Sequence, residues 1–149
     1  MSYPKKLQET LDFFKTLEDQ NDRVNVLLDF AEKFKEVPSS IAAKPYDKSH
    51  LVPHCESEAY VWAMKRDDGT LKYYFAVENP SGVSAKALAK VLDDTLSGET
   101  PESIAMINED IVYTIFRQNI SMGKGLGLMS MVQAVVALAK QQMTAKATH

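Results

Sequence analysis

The sequence predicts an α+β protein in which helices flank a small antiparallel sheet of two to three strands. Apolar residues at helical spacing fill both ends of the chain, Leu7, Leu11, Phe14 and Leu17 early and Leu128, Met131, Val132 and Val135 late. Only the stretch from 58 to 77 alternates with a period of two, and Asp67-Asp68-Gly69-Thr70 breaks it in the middle. Strands clustered in the centre with helices on either side are the α+β pattern. With 149 residues, 45% of them hydrophobic, the chain is expected to form one domain over 1–149 around a sizeable core.

The first helix carries Leu7, Leu11, Phe14 and Leu17 and is expected to stop at Asn21-Asp22, where the second begins. The second presents Val24, Leu27, Leu28, Ala31 and Phe34 and ends before Pro38, because a residue preceding proline is pushed out of the helical region. These two helices are expected to pack together. Residues 39–53 are polar and broken by Pro45 and Pro53, a loop that leads to the sheet. A short third strand is expected near 49–52. In the first main strand Tyr60, Trp62 and Met64 share one face, with Ala59, Val61 and Ala63 on the other; both faces are apolar, so both should be covered. Leu71, Tyr73, Phe75 and Val77 line one face of the return strand, which Asn79-Pro80 ends. Ser84 is expected to cap a helix striped by Leu88, Val91, Leu92 and Leu96 and closed by Ser97-Gly98. Thr100-Pro101 opens a short helix, Asp110 is expected to cap another, and the last helix runs from about 125 to 142.

A formal charge of -3 with scattered Lys and Arg argues against nucleic acid as a partner. No apolar run is expected to reach the roughly 20 residues that cross a bilayer, so no membrane partner is expected either. A cytoplasmic home follows from the free thiol, which a reducing compartment sustains.

Chemistry centres on Cys55, the only cysteine, in Leu51-Val52-Pro53-His54-Cys55-Glu56-Ser57-Glu58-Ala59-Tyr60. One cysteine forms no internal disulfide and no multi-cysteine metal site, so sulfur chemistry must pass to another molecule. The thiol is placed at a loop tip, where three readings stand: a sulfur carrier, a Cys–His thiol enzyme using His50, His54 or His149, and an adaptor without chemistry. Adjacent His54 and Cys55 would point to opposite faces if extended, which weakens the second. His50, His54 and Glu56 are weak as zinc ligands. Gly123-Lys124-Gly125-Leu126-Gly127 lacks the P-loop spacing and reads as a helix start, and Met64, Met106, Met129 and Met131 read as core filler. Glu18, Asp19 and Asp22 read as solvated helix-end charges.

The run His54-Cys55-Glu56-Ser57-Glu58-Ala59-Tyr60 resembles the Gly-Cys-Gln-Ser-Gln-Val-Trp motif of the SufE family, keeping the cysteine, the serine and an aromatic residue. The order of helices, hairpin and a last helix opening with Gly125-Leu126 extends the resemblance over nearly the whole chain. Two positions depart: His54 replaces the family glycine, and Met122 replaces the arginine three residues before the Gly-Leu. The resemblance implies a SufE/IscU-like fold and a sulfur acceptor with Cys55 as the acting residue. It implies a cysteine desulfurase, itself dependent on pyridoxal phosphate, as partner, an iron–sulfur scaffold complex as recipient, and no cofactor or metal of the protein's own. Lys124 lies close to the family arginine as a substitute cation. Glu56 and Glu58 beside the thiol, with Leu51, Val52 and Pro53 before it, predict a shielded resting sulfur.

Overall fold

The computed structural model describes residues 3–117 and 120–147. Helix α1 (Lys5–Thr16) buries Leu7, Leu11 and Phe14, and α2 (Gln20–Lys33) follows after a short link. The boundary falls before Asn21-Asp22 because the Asp19 carboxylate accepts from the amides of both residues, at 2.7 and 3.3 Å, so Asp19, exposed as expected, is also the cap of the helix. Helix α2 packs chiefly on α3 (Val83–Leu96) and α1 about equally on α3 and on the short helix at Ile111–Phe116, and α1 meets α2 through the rings of Phe14 and Phe30, 6.1 Å apart.

The buried face of α2 is rotated from the expected stripe. Arg23 and Leu27 are buried, Val26, Phe30, Ala31 and Phe34 are half-buried, and Val24 and Leu28 face outward. The cause is Arg23, whose guanidinium donates to the carbonyls of Phe14, Leu17, Thr114 and Ile115 at 2.5 to 3.1 Å. It thereby ties the end of α1 to that of α5 (Ile111–Phe116) and satisfies carbonyls that helix ends leave open.

Strands β1 (Ala59–Lys65) and β2 (Leu71–Val77) pair antiparallel, from Ala59 opposite Val77 to Lys65 opposite Leu71. Ala59, Val61, Leu71, Tyr73, Phe75 and Val77 face the main core. Tyr60, Trp62 and Ala76 face a second cluster, closed by Val37 and Tyr46 from the long loop. Met64, at the hairpin end, and Met106 are exposed and do not fill the core, whereas Met131 is fully buried. The expected third strand shrinks to one bridge, Leu51 opposite Tyr60, with the Val52 amide donating to the Ala59 carbonyl at 2.8 Å. Pro53 has no amide with which to continue it.

Gly82, not Ser84, takes the N-cap position of α3, without a side-chain cap. Thr100 caps α4 (Pro101–Ile104) as expected, with proline in its first turn. Asp110 makes no side-chain cap on α5; the Asn108 side chain accepts from its amide instead, at 2.9 Å. The last helix, α6 (Met122–Ala147), begins three residues before Gly125 and lays Leu128, Met131, Val132, Val135 and Ala139 against the core.

One sequence expectation about α6 is overturned. Met122–Met143, 22 residues, is long and apolar enough by length and composition to cross a membrane, and half of it is buried in the fold. A helix that packs on the sheet with one side and keeps Met129, Val136 and Leu138 half-buried on others is apolar nearly all round.

Candidate functional site

Cys55 sits in the turn between the Leu51 bridge and β1, half-buried and packed against the main core. The sulfur is therefore not at an exposed tip. Of the apolar run before it, Val52 alone is buried, while Leu51, Pro53 and the flanking Glu56 and Glu58 are exposed.

Backbone geometry holds the thiol in place. His54 and Glu58, either side of the turn, adopt left-handed conformations with φ of 60° and 52°. Such a conformation costs a residue with a side chain about 1–2 kcal/mol. His54 stands where the resembled motif has glycine, the residue that adopts this conformation freely. The Glu58 amide donates to the Cys55 carbonyl at 3.2 Å, and the Asn79 amide donates to the Ser57 carbonyl at 3.1 Å, tying the turn to the exit of β2.

Two glycines let neighbouring helices close on this turn. A Cβ on Gly127 of α6 would lie 3.0 Å from the His54 carbonyl oxygen and 3.3 Å from Cys55 Cα. One on Gly82, before α3, would lie 2.8 Å from a Val77 methyl and 3.0 Å from the Ser57 side chain. The cysteine turn is thus seated between the starts of two helices.

Beside the thiol opens a cleft of about 260 Å³ lined by Glu56, Ser57, Ser84 and Lys124 as well as Cys55, with Asn79 and Ser81 at the β2–α3 turn. Neither helix bordering it has an acidic residue in its first turn, so the carboxylate that meets the partial positive charge of the two amino ends in the cleft is Glu56, from the turn. Lys124, named from the sequence as a substitute cation, does line the cleft, whereas Met122 is 85% exposed.

The histidines are elsewhere. His50 Nδ1 lies 3.0 Å from the Val61 carbonyl and its ring stacks on Trp62, so it belongs to the second cluster. His54 lines a neighbouring cleft with Leu126 and Met129, which shares Glu56 and Gly123 with the one Cys55 lines. His149 lies outside the described residues. Among the described residues Cys55 is not paired with a histidine, and no three His, Cys, Asp or Glu side chains gather as metal ligands. Gly123 to Gly127 are the opening turns of α6 and not a phosphate loop.

Sequence reasoning missed Ser57, Ser84 and Asn79 as cleft residues, and Gly82 and Gly127 as its seats. Gly127 belongs to a glycine cluster whose only local meaning is a helix start. Its close approach to the cysteine turn is a long-range packing fact that no local spacing encodes.

A turn-borne single thiol beside a polar cleft, on a two-stranded sheet wrapped by helices, is the layout of a thiol-bearing α+β domain. The family model described as the SufE, Fe-S metabolism associated domain matches residues 8–139. The chain belongs to the SufE family, and its role lies in iron–sulfur metabolism. The solution structure of a hypothetical protein from Thermus thermophilus is similar in fold, with a TM-score of 0.73 and 24% identity over 96% of this chain and 99% of that one. No curated protein matches the chain.

Proposed function

We propose that this protein is a sulfur acceptor: the Cys55 thiolate takes the outer sulfur from a persulfide on a cysteine desulfurase and passes it on for iron–sulfur cluster assembly. The observation that carries the reading is the seating of the chain's single thiol, half-buried on a turn closed by Gly82 and Gly127 and open to a polar cleft. In the transfer the Cys55–S bond to the outer sulfur forms as the donor's S–S bond breaks, and the donor cysteine leaves as thiolate. No oxidant or resident cofactor is required. The proposed compartment is the reducing cytoplasm, where both thiols persist.

The half-buried position supports a resting state in which the sulfur is shielded, and docking of the desulfurase is the event that opens it. A thiol hydrolase would need a base at the sulfur, and neither described histidine is hydrogen-bonded to it: His50 is held at the Val61 carbonyl and His54 lines the neighbouring cleft.

The test is intact-mass measurement after incubation with a desulfurase, pyridoxal phosphate and cysteine. The expected result is a gain of about 32 Da per sulfur on Cys55, reversed by a reducing thiol. Cys55→Ser is expected to abolish the gain and the stimulation of desulfurase turnover while lowering stability by about 1 kcal/mol, because the side chain is half-buried against the core. Stimulation that survives Cys55→Ser would make the protein an adaptor instead.

A further inference from the structure

Among the described residues, Lys124 is the only cationic side chain lining the Cys55 cleft. It lies in the first turn of α6, its amide donating to Ser121 Oγ at 3.3 Å, and its ammonium has no carboxylate partner among the described residues. The titratable groups facing the cleft are Cys55 and Glu56 from the turn and Lys124 from α6. The β2–α3 side contributes the uncharged Asn79, Ser81 and Ser84.

We infer that Lys124 is the counter-charge that holds the outer sulfur of a persulfide on Cys55, an inference that rests on the sulfur-acceptor reading. A persulfide ionises more readily than a thiol, so its outer sulfur is an anion near neutral pH. An S–S bond of about 2 Å carries that anion beyond Sγ and into the cleft. An anion moved out of bulk water needs a partner charge or hydrogen bonds, and Glu56 repels it. Lys124 supplies the charge, with the unpaired Ser57 and Ser84 hydroxyls beside it as donors.

Helix geometry explains why the cation is at 124 and not at 122. Two residues are about 200° apart around a helix, so side chains at 122 and 124 leave α6 in nearly opposite directions. Lys124, itself exposed, lines the cleft, and Met122 projects into solvent.

The experiment loads the full-length protein with glutathione persulfide, with no desulfurase present. The Cys55 thiolate attacks the outer sulfur, glutathione leaves as thiolate, and Cys55–S–SH forms and then loses its proton to solvent. Intact mass gives the equilibrium constant of this exchange. Lys124→Met is expected to lower it about three- to fivefold, the upper scale of an exposed ion pair, and Lys124→Arg to leave it about unchanged. Raising the salt should narrow the gap between wild type and Lys124→Met. Met122→Arg added to Lys124→Met should not restore it. An unchanged constant in Lys124→Met, or full restoration by arginine at 122, overturns the inference. If the shift appears but no desulfurase loads Cys55, the cation assignment stands and the sulfur-acceptor reading falls.

Discussion

Gly127 is the position where the packing of the cysteine turn is most directly tested. Replacing it with alanine adds a carbon 3.0 Å from the His54 carbonyl oxygen and 3.3 Å from Cys55 Cα. Carbon atoms in comfortable contact lie about 3.5–4.0 Å apart, so the turn must retreat by a few tenths of an ångström. Two terms oppose each other. Alanine in a helix interior gains about 0.5–1 kcal/mol over glycine, whereas overpacking a close contact costs about 1–3 kcal/mol. Gly127→Ala is therefore expected to lower stability by only about 0–2.5 kcal/mol. Gly127→Val, with two more methyl groups and no freedom to turn both away, should lose about 2–3 kcal/mol, or roughly 4–12 °C in Tm for a chain of this size. In both variants the turn is lifted from α6, so Cys55 should alkylate faster with a neutral reagent, more so in the valine variant. Gly123→Ala is the control, because an added Cβ there meets nothing within 4 Å. It should gain up to about 1 kcal/mol and leave alkylation unchanged. The pair of measurements is thermal unfolding and alkylation rate followed by mass. If Gly127→Val alters neither, the turn does not rest on α6 and the shielded-thiol reasoning is wrong.

Arg23→Ala takes the guanidinium from four buried or half-buried carbonyls, of which Phe14's keeps a backbone donor in the Leu17 amide, and should cost about 3–5 kcal/mol, seen as a fall in denaturant midpoint without a change in slope. Loss of less than about 1 kcal/mol would mean that water replaces the guanidinium. Trp62→Ala removes the ring on which His50 stacks and which Tyr46 meets edge-on, and should cost about 3–5 kcal/mol; an unchanged melting curve would contradict the burial of that sheet face. His54→Gly relieves the left-handed strain at the turn and partly offsets this by a floppier unfolded chain, for a net gain of about 0.5–1 kcal/mol in chemical denaturation. A net loss would show that the imidazole's contacts outweigh the strain.

The hairpin and the helices are legible where one local rule acts alone. Alternation fixes both faces of β1 and β2, and Thr100-Pro101 marks α4 because proline and a capping hydroxyl both belong at a helix start. The failures share a cause: the partner that decides a residue's role is not the one its local pattern suggests. Arg23 stands outside the apolar stripe that starts at Val24, yet carbonyls 91 and 92 residues on receive its guanidinium and rotate α2 about its axis. Asp19 reads as a spent end charge and caps a helix. The α6 start at Met122 is hidden because three glycines suggest a turn, and the small size of Gly127 instead serves approach between helix and turn.

At the site, chemistry is legible in the sequence and geometry is not. A single cysteine in a recognisable motif names the sulfur, because no other residue in the chain can do its chemistry. The surroundings that decide how that sulfur behaves come from three separated segments, 53–58, 79–84 and 123–128, joined only by the fold. Along the chain, Glu56 and Glu58 are the charges nearest the thiol. In space the balance includes Lys124 and the carboxylate-free amino ends of α3 and α6, which oppose them. A turn flanked by acidic residues is thereby also the border of a cleft suited to an anion. Such a cleft suits the proposed sulfur acceptor, whose persulfide would be an anion near neutral pH.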